Sequence, residues 1–511
     1  MAVSGDINIK VDALAGVNQN TSGRLPNELR ACENIIGIES GFSVFKGRTL
    51  YLTPGISNVT AITECTWPDE HDSLVMVGSD GIEAKEAGTI YNITGDLAFS
   101  SDLRNPTHLT KIFRARYLVG SNHRRDQAWY WDGIVDHPAK ELDTGENCRV
   151  IMDWGNRLWS VGSEDFPLYS FYGEIDELEI QSGNFFEFRD NPRSTRLVGC
   201  RPYSLDTAFF WGDHGLWMVQ KTNSWPLFAQ PTLISNDCSC VSNASIVELP
   251  GGAGFCWMGY DRIWIYAGGT VKAVDLSDDA RGAERIREAM RDRSFVDLFQ
   301  ASAFHYTKRH LVIFSYPRSQ CDGTDAWEDP YSVAWDYRKN TWWLINQGWR
   351  SVSETRYLNE KRALGTDPYG KIYLLDDNLL GDKDETTHPW FADLGWFDAG
   401  KKVKWLLAKL TRKIKGAEPV AVDFYDEFQA TPSSKEFSIT ERFDAGAVHP
   451  SYDPGGPDDL GVPPDPVITC NAHIDFTGQR LKVRLSNENG SSYYGGPEEP
   501  MIALEMIGRS I

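Results

Sequence analysis

The sequence predicts an all-β fold, a six- or seven-bladed β-propeller followed by a β-sandwich-like C-terminal domain, and three observations carry that prediction. The first is a repeat in which a short apolar run climbs to a tight polar turn and returns as a second apolar or aromatic run. Its turns lie at Gly78 to Gly81, Gly120 to Asp126, Trp154 to Arg157, Trp211 to Gly215, Gly259 to Arg262, Tyr316 to Ser319 and Gly365 to Gly370. Turns recurring roughly every 30 to 60 residues match the spacing of propeller blades. One blade cannot bury both faces of its small sheet, so blades must stack around a ring. The second observation is composition: 18 Trp beside 45 Gly and 25 Pro favour many short strands joined by turns over long helices, because aromatics fit pleated surfaces and Gly and Pro punctuate them. The third is a change of character after Asp377. Longer runs with a period of two follow, from Val420 to Phe424, Leu481 to Leu485 and Ile502 to Ile507, and that period places one face on a core.

In chain order, residues 1–56 form an N-terminal opening segment, with alternation from Ile7 to Val11 and a second apolar run from Asn34 to Ile38. The propeller occupies 57–378. Its blade number turns on whether the first strand closes the last blade and whether Ser57 to Leu97 is regular. A surface helix is expected near 277–300: Ser277 is an N-cap, Asp278 and Asp279 sit in the first turn, and Ile286 and Met290 fall four apart. The C-terminal β domain covers 384–511. Its Pro/Gly-rich stretch 453–466 is an exposed loop or arm, since its prolines lack donors and its glycines cost entropy.

At 511 residues and 41% hydrophobic content the chain buries a large core. A formal charge of −21 argues against gripping a nucleic-acid backbone, which needs clustered Lys and Arg to release counterions. The same charge suits a solubilised surface, or a passage through which DNA slides without sticking. No basic, then apolar, export segment opens the chain, and no apolar run reaches the roughly 20 residues of a membrane helix, so no membrane-spanning segment is expected. The nine Cys show no CxxC spacing and read as reduced, mostly buried thiols; on one strand Cys238 and Cys240 share a face.

Several motifs tempt a chemical reading. Gly365 to Lys371 fits the first seven positions of a phosphate-binding loop, but Ile372 replaces the Mg²⁺-holding Ser or Thr and a strand follows where a helix is required. The acidic string Glu174 to Glu179 has the carboxylates a glycosidase needs, yet reads as a charged blade edge with no nearby basic partner. Asp336 to Trp342 has the spacing of a propeller hairpin in which the Asp caps the turn and the Trp packs between blades. No G-x-S-x-G, H-E-x-x-H or D-x-D-x-D-G pattern occurs, so no catalytic, cofactor-binding or metal residue is assigned and no cofactor is expected. The basic clusters are His123 to Arg125 and the run Lys401, Lys402, Lys404, Lys409, Arg412, Lys413 and Lys415, which read as a solvated face or as a patch that docks an acidic partner, more than as a DNA site.

From Phe209 to Trp343 the order of features carries a family resemblance. Phe210 to Trp217 is followed by Gly254 to Gly259, then Ile263 to Gly269 leading into the Ser277 segment, then His310 to Pro317 and Ala334 to Asp336 with Trp342. This succession resembles the β-propeller tail-hub, or nozzle, proteins of short-tailed bacteriophages, also called phage stabilisation proteins. The resemblance spans about residues 30 to 380, and its motifs are structural. It implies a non-enzymatic virion tail protein, assembled in the host cytoplasm as a ring, commonly a homohexamer. Such a ring sits below the portal and adaptor rings, forms the distal conduit for double-stranded DNA and holds fibres, a spike or a plug. No distinct gate-loop signature accompanies these motifs. Two other function classes fit a propeller: a glycosidase or lyase acting on host polysaccharide, and a carbohydrate- or protein-binding module that uses exposed aromatics as stacking platforms.

Overall fold

The protein is described from a computed structural model. The described residues are 6–11, 29, 31–33, 35–38, 41–45, 48–99, 106–122, 126–144, 148–163, 165–181, 183–222, 228–274, 286, 289, 297–318, 330–357, 360–367, 369–375, 391–413, 420–426, 433–437, 467–486 and 501–510. The chain forms two compact units and passes between them at Thr49/Leu50, Asn340/Thr341, Ile345/Asn346 and Leu375/Asp376. The first is a propeller of seven four-stranded antiparallel sheets. Among the described residues no helix is long and apolar enough to cross a membrane.

The blades follow in order, each with its inner strand first. Blade 1 runs through Ala61–Thr66, Asp72–Val77, Ile82–Glu86 and Thr89–Asn92. Blade 2 comprises His108–Ile112, Tyr117–Asn122, Asp126–Trp131 and Lys140–Glu141, and blade 3 Cys148–Trp154, Arg157–Ser163, Tyr169–Tyr172 and Phe185–Glu187. Blade 4 is Leu197–Ser204, Thr207–Gly212, His214–Gln220 and Thr232–Ser239; blade 5 is Val247–Glu248, Gly254–Met258, Ile263–Ala267 and Thr270–Ala273. Ser302–Tyr306, Leu311–Pro317, Pro330–Asp336 and Thr341–Ile345 make blade 6. Blade 7 takes Val352–Tyr357, Glu360–Thr366 and Ile372–Leu374 from one end of the propeller sequence and its outer strand, Thr49–Leu52, from the other. The strand that closes the last blade is Thr49–Leu52 and not the chain's first strand, Asp6–Val11, which pairs with Met501–Ser510 in the other sheet; the count is seven.

Apolar residues line both faces of most strands because both faces are covered. Trp159 and Val161 of blade 3 pack with Phe210 and Trp217 of blade 4. Blades 1 and 2 meet through Val75, Ala84, Trp129 and Trp131. Ile151 and Phe171 join blade 3 to Val119 and Ala128 of blade 2, and Phe209 and Trp211 join blade 4 to Phe255 and Trp257 of blade 5. Across the closure, Ile62 and Met76 meet Leu364 and Ile372. The register explains one small residue in this packing: Gly120 stands opposite Trp129, and a Cβ there would overlap the indole ring. Six of the seven turns read from the sequence join the second and third strands of a blade; Trp154 to Arg157 joins the first and second strands of blade 3 instead.

The second unit is a nine-stranded antiparallel sheet. Its longest strands, Phe391–Lys413 and Val467–Ser486, pair along their length with register shifts between Asp393 and Gly395, Asp398 and Val403, and Trp405 and Leu407. Bulges of this kind bend a strand. The opening segment is part of this sheet: Asp6–Val11 pairs with Met501–Ser510, and Ala31–Glu33 with the start of Phe391–Lys413. Thus 1–56 divides between the two units, with its last strand in the propeller. The loop at 453–466 and most of the helix near 277–300 lie outside the described residues. Within the latter, Ile286 and Ala289 are buried, Tyr316 Oη donates to the Ala289 carbonyl at 3.0 Å, and Leu298–Gln300 forms a single 3-10 turn.

Trp217 is fully buried between blades 3 and 4, so Trp217→Ala should cost about 3–5 kcal/mol in urea unfolding. Trp264 is only partly buried, beneath the Arg262 guanidinium 5.6 Å from its ring centroid. Trp264→Ala should cost clearly less, and equal losses at the two positions would contradict the blade assignment.

Candidate functional site at the channel mouth

Carboxylates at second-to-third-strand turns hold the linkers into the inner strands of blades 1 and 4 and brace the turn of blade 7. Asp80 accepts from the Ser57 N–H and hydroxyl, both at 2.8 Å. Asp213, buried in blade 4, accepts from the Ser194 hydroxyl at 3.0 Å, from the Thr195 N–H at 2.8 Å and from the Thr195 hydroxyl. Asp367, also buried, accepts from the N–H groups of Tyr369 at 2.9 Å and Lys371 at 2.8 Å. A short carboxylate beside a glycine suits this role, since it satisfies several backbone donors that the turn leaves open.

The linker into blade 5 carries the polar centre of the mouth. Ser242 caps the 3-10 turn Asn243–Ser245 through the Ala244 N–H at 3.1 Å. Arg201, on the inner strand of blade 4, donates Nη1–H to Asn243 Oδ1 at 2.6 Å and Nη2–H to the Asn243 carbonyl at 2.9 Å. The amide oxygen is thereby fixed toward Arg201, so the Asn243 NH₂ faces His108 Nδ1 at 3.3 Å. Nδ1 therefore accepts, and the ring proton of His108 sits on Nε2. His108 opens the inner strand of blade 2. Blades 2 and 5 are not neighbours in a ring of seven, so this bond spans the channel mouth.

Burial, followed by the positive charges of Arg201 and then Arg149, pushes the His108 pKa down to about 3. Arg149 lies buried on the inner strand of blade 3. Burial also lowers the pKa of Arg201. The nearby thiols of Cys148 and Cys200 are pushed up to about 12 by the same burial, which keeps them protonated and unreactive. Cysteines 65, 148, 200, 238, 240 and 256 are free and buried, Cys32 is buried, and Cys238 and Cys240 lie in one core cluster. Among the described residues no group of three His, Cys, Asp or Glu could hold a metal.

The residues singled out by sequence fall elsewhere. Lys401, Lys402, Lys404, Lys409, Arg412 and Lys413 lie on Phe391–Lys413 of the nine-stranded sheet, where Lys404 is in register with Thr477 and Arg509, and Lys409 with Asn471 and Glu505. Lys415 and His123 to Arg125 are outside the described residues. Glu174 to Glu179 is an exposed turn between the third and fourth strands of blade 3, and Glu174 has a basic partner after all: buried Arg157 donates to it at 3.0 Å and to the Gly173 carbonyl at 2.8 Å. The phosphate-loop look-alike is the Asp367 turn, in which Gly370 takes a positive φ of 84°. In the blade 6 hairpin, Asp336 accepts from the N–H groups of Arg338 and Lys339 at 3.0 and 3.2 Å, and Trp342 is buried. Sequence reasoning missed His108, Arg149, Arg201 and Asn243, which share no local motif; the available signal was a polar residue in a strand or linker otherwise apolar.

No protein-family model matches the chain, and no curated protein does. Among solved structures it is similar to an ancestral GH74 enzyme at 14% identity and a TM-score of 0.38, over 70% of this chain and 51% of that one. It is also similar to the extracellular domain of a one-component system from B. thetaiotaomicron, at 10% identity and 0.40, over 71% and 42%. A third is the WD40 domain of Toxoplasma gondii coronin, at 10% identity and 0.37, over 70% and 87%. The chain spans about half the length of the first two. Likenesses this distant carry nothing about activity.

A histidine whose folded-state pKa lies below its ordinary 6.5 binds its proton only in the unfolded chain. Stability should therefore fall as pH drops from about 6.5 toward 3, by up to about 1.4 kcal/mol per pH unit from this group. Urea unfolding of wild type and His108→Asn between pH 7 and 4 checks this, and the two profiles should converge as pH falls. At the Asp367 turn, Asp367→Ala should cost about 1–3 kcal/mol. Lys371→Ala, which keeps its N–H, should stay within about 0.5 kcal/mol in the same assay.

Proposed function

We propose that the chain is a structural protein of the virion tail of a short-tailed bacteriophage, a hub or nozzle protomer with no catalytic role and no cofactor. Copies of it, six in the simplest arrangement, form a ring below the portal and adaptor rings. The ring is the distal conduit for double-stranded DNA and holds fibres, a spike or a plug; it assembles in the host cytoplasm. The order of blade motifs from Phe210 to Trp342 carries this reading. Two further observations support it. The His108–Asn243 bond spans the mouth of the propeller channel, so DNA would pass between copies and not through any one of them. A charge of −21 per chain makes a shared lumen repulsive to phosphate over about 10 Å at 0.1 M salt. The duplex then keeps a hydrated gap instead of adhering. The run Lys401 to Lys415 supplies the docking patch against an acidic neighbour.

A second reading rests on blade 3. Phe166 and Phe185, 39% and 49% exposed, flank Tyr169, whose hydroxyl donates to Glu187 at 2.5 Å and accepts from Arg189 at 3.1 Å. An aromatic surface rimmed by polar groups is what a carbohydrate-binding propeller would present.

Light scattering with electron microscopy on purified protein should show closed rings of several copies. Replacing Lys401, Lys402, Lys404 and Lys409 by Glu should block incorporation into tails without unfolding the chain. A monomer that binds DNA tightly at physiological salt would overturn the conduit, and turnover of a host polysaccharide would move the protein to the enzyme class.

A further inference from the structure

We propose that the channel mouth is a binding site for a small oxyanion, a phosphate or carboxylate group, held between Arg201, Arg149 and His108. The inner strands of three consecutive blades meet at this point: Asn243 bridges His108 of blade 2 to Arg201 of blade 4, and the Arg149 carbonyl of blade 3 accepts from Ser121, which stands opposite His108 in blade 2. Such convergence is a product of the ring, since 41 and 52 residues of sequence separate the three. Every hydrogen bond that Arg201 makes goes to a neutral oxygen, namely the carbonyls of Cys200 and Asn243 and the side-chain amide of Asn243. It forms no ion pair among the described residues, and the titratable groups acting on it are the protonated thiols of Cys200 and Cys240. Hence a partly buried guanidinium stands without a counter-anion among the described residues, in a protein that is otherwise strongly acidic. That arrangement is unfavourable unless an anion completes it.

The donors are matched to an oxyanion. With Nδ1 accepting from Asn243, His108 offers Nε2–H; Arg201 and Arg149 offer donors alone. Planar guanidinium forks bind phosphate and carboxylate oxygens through paired hydrogen bonds. Asn243 holds Arg201 by both its oxygens, which fixes the fork before an anion arrives. Arg201 retains partial solvent exposure, so the site can be reached from the mouth. The site is independent of whether copies assemble into a ring.

Calorimetric titration of the full chain with inorganic phosphate and, separately, with acetate tests the assignment, each against chloride at equal ionic strength. Saturable binding of either ion to wild type is expected, with a parallel rise in melting temperature. Phosphate alone would assign a phosphate group, and binding of both a carboxylate-tolerant site. Arg201→Lys keeps the charge and loses the fork, and should weaken affinity by roughly ten-fold or more; Arg201→Gln should abolish it. Absence of binding to the wild-type chain beyond chloride would overturn the proposal, as would unchanged affinity in a folded Arg201→Gln protein.

Discussion

Each blade of this protein is a sheet with two apolar faces, and neither face can be left to water. That constraint organises the propeller. Trp159 of blade 3 packs toward Phe210 and Trp217 of blade 4, whose other face presents Phe209 and Trp211 to Phe255 and Trp257 of blade 5. The series ends only when the last blade meets the first, as it does where Leu364 and Ile372 meet Ile62 and Met76. Closure is secured by inter-strand hydrogen bonds as well as by packing, because Thr49–Leu52 and the other three strands of blade 7 come from opposite ends of the propeller sequence. Opening the ring at that seam would uncover two apolar faces at once, so blade cores and seam support one another.

The polar chemistry is subordinate to that ring. Carboxylates such as Asp80, Asp213 and Asp367 use turn geometry to hold linkers and turns in place. The linker into blade 5, capped by Ser242, brings Asn243 to the mouth, where Arg201 orients it and it in turn sets the tautomer of His108. The result is a mouth bridged between blades 2 and 5 and rich in donors. A propeller of this kind serves as a rigid body with a polar recess, and transport along its own axis is no part of the proposed role.

What the sequence made legible is what depends on neighbouring residues. Trp211-Gly212-Asp213-His214-Gly215 announces a turn because glycines and a short carboxylate interrupt a run of aromatics, and the structure puts a second-to-third-strand turn there. Trp154 to Arg157 has the same local look and serves a different connection, since an apolar hairpin reads alike at either end of a blade. The origin of the seventh blade's outer strand was open, because Thr49 and Leu374 lie far apart and nothing local couples them. Pairing of Asp6–Val11 with Met501–Ser510 was invisible for the same reason. The lysine run from 401 was conspicuous because it is dense in sequence. By contrast His108, Arg149, Arg201 and Asn243 become a group only once the blades are wound.

The central claim is that seven blades close into one ring through Thr49–Leu52, and native-state hydrogen exchange tests it most directly. The hydrogen-bonded amides of Thr49–Leu52 should exchange only as slowly as opening of Ile372–Leu374 allows, and in step with it, since both belong to the sheet that seals the ring. Rapid exchange throughout Thr49–Leu52 while Ile372–Leu374 stays protected would show that the early strand does not close the last blade.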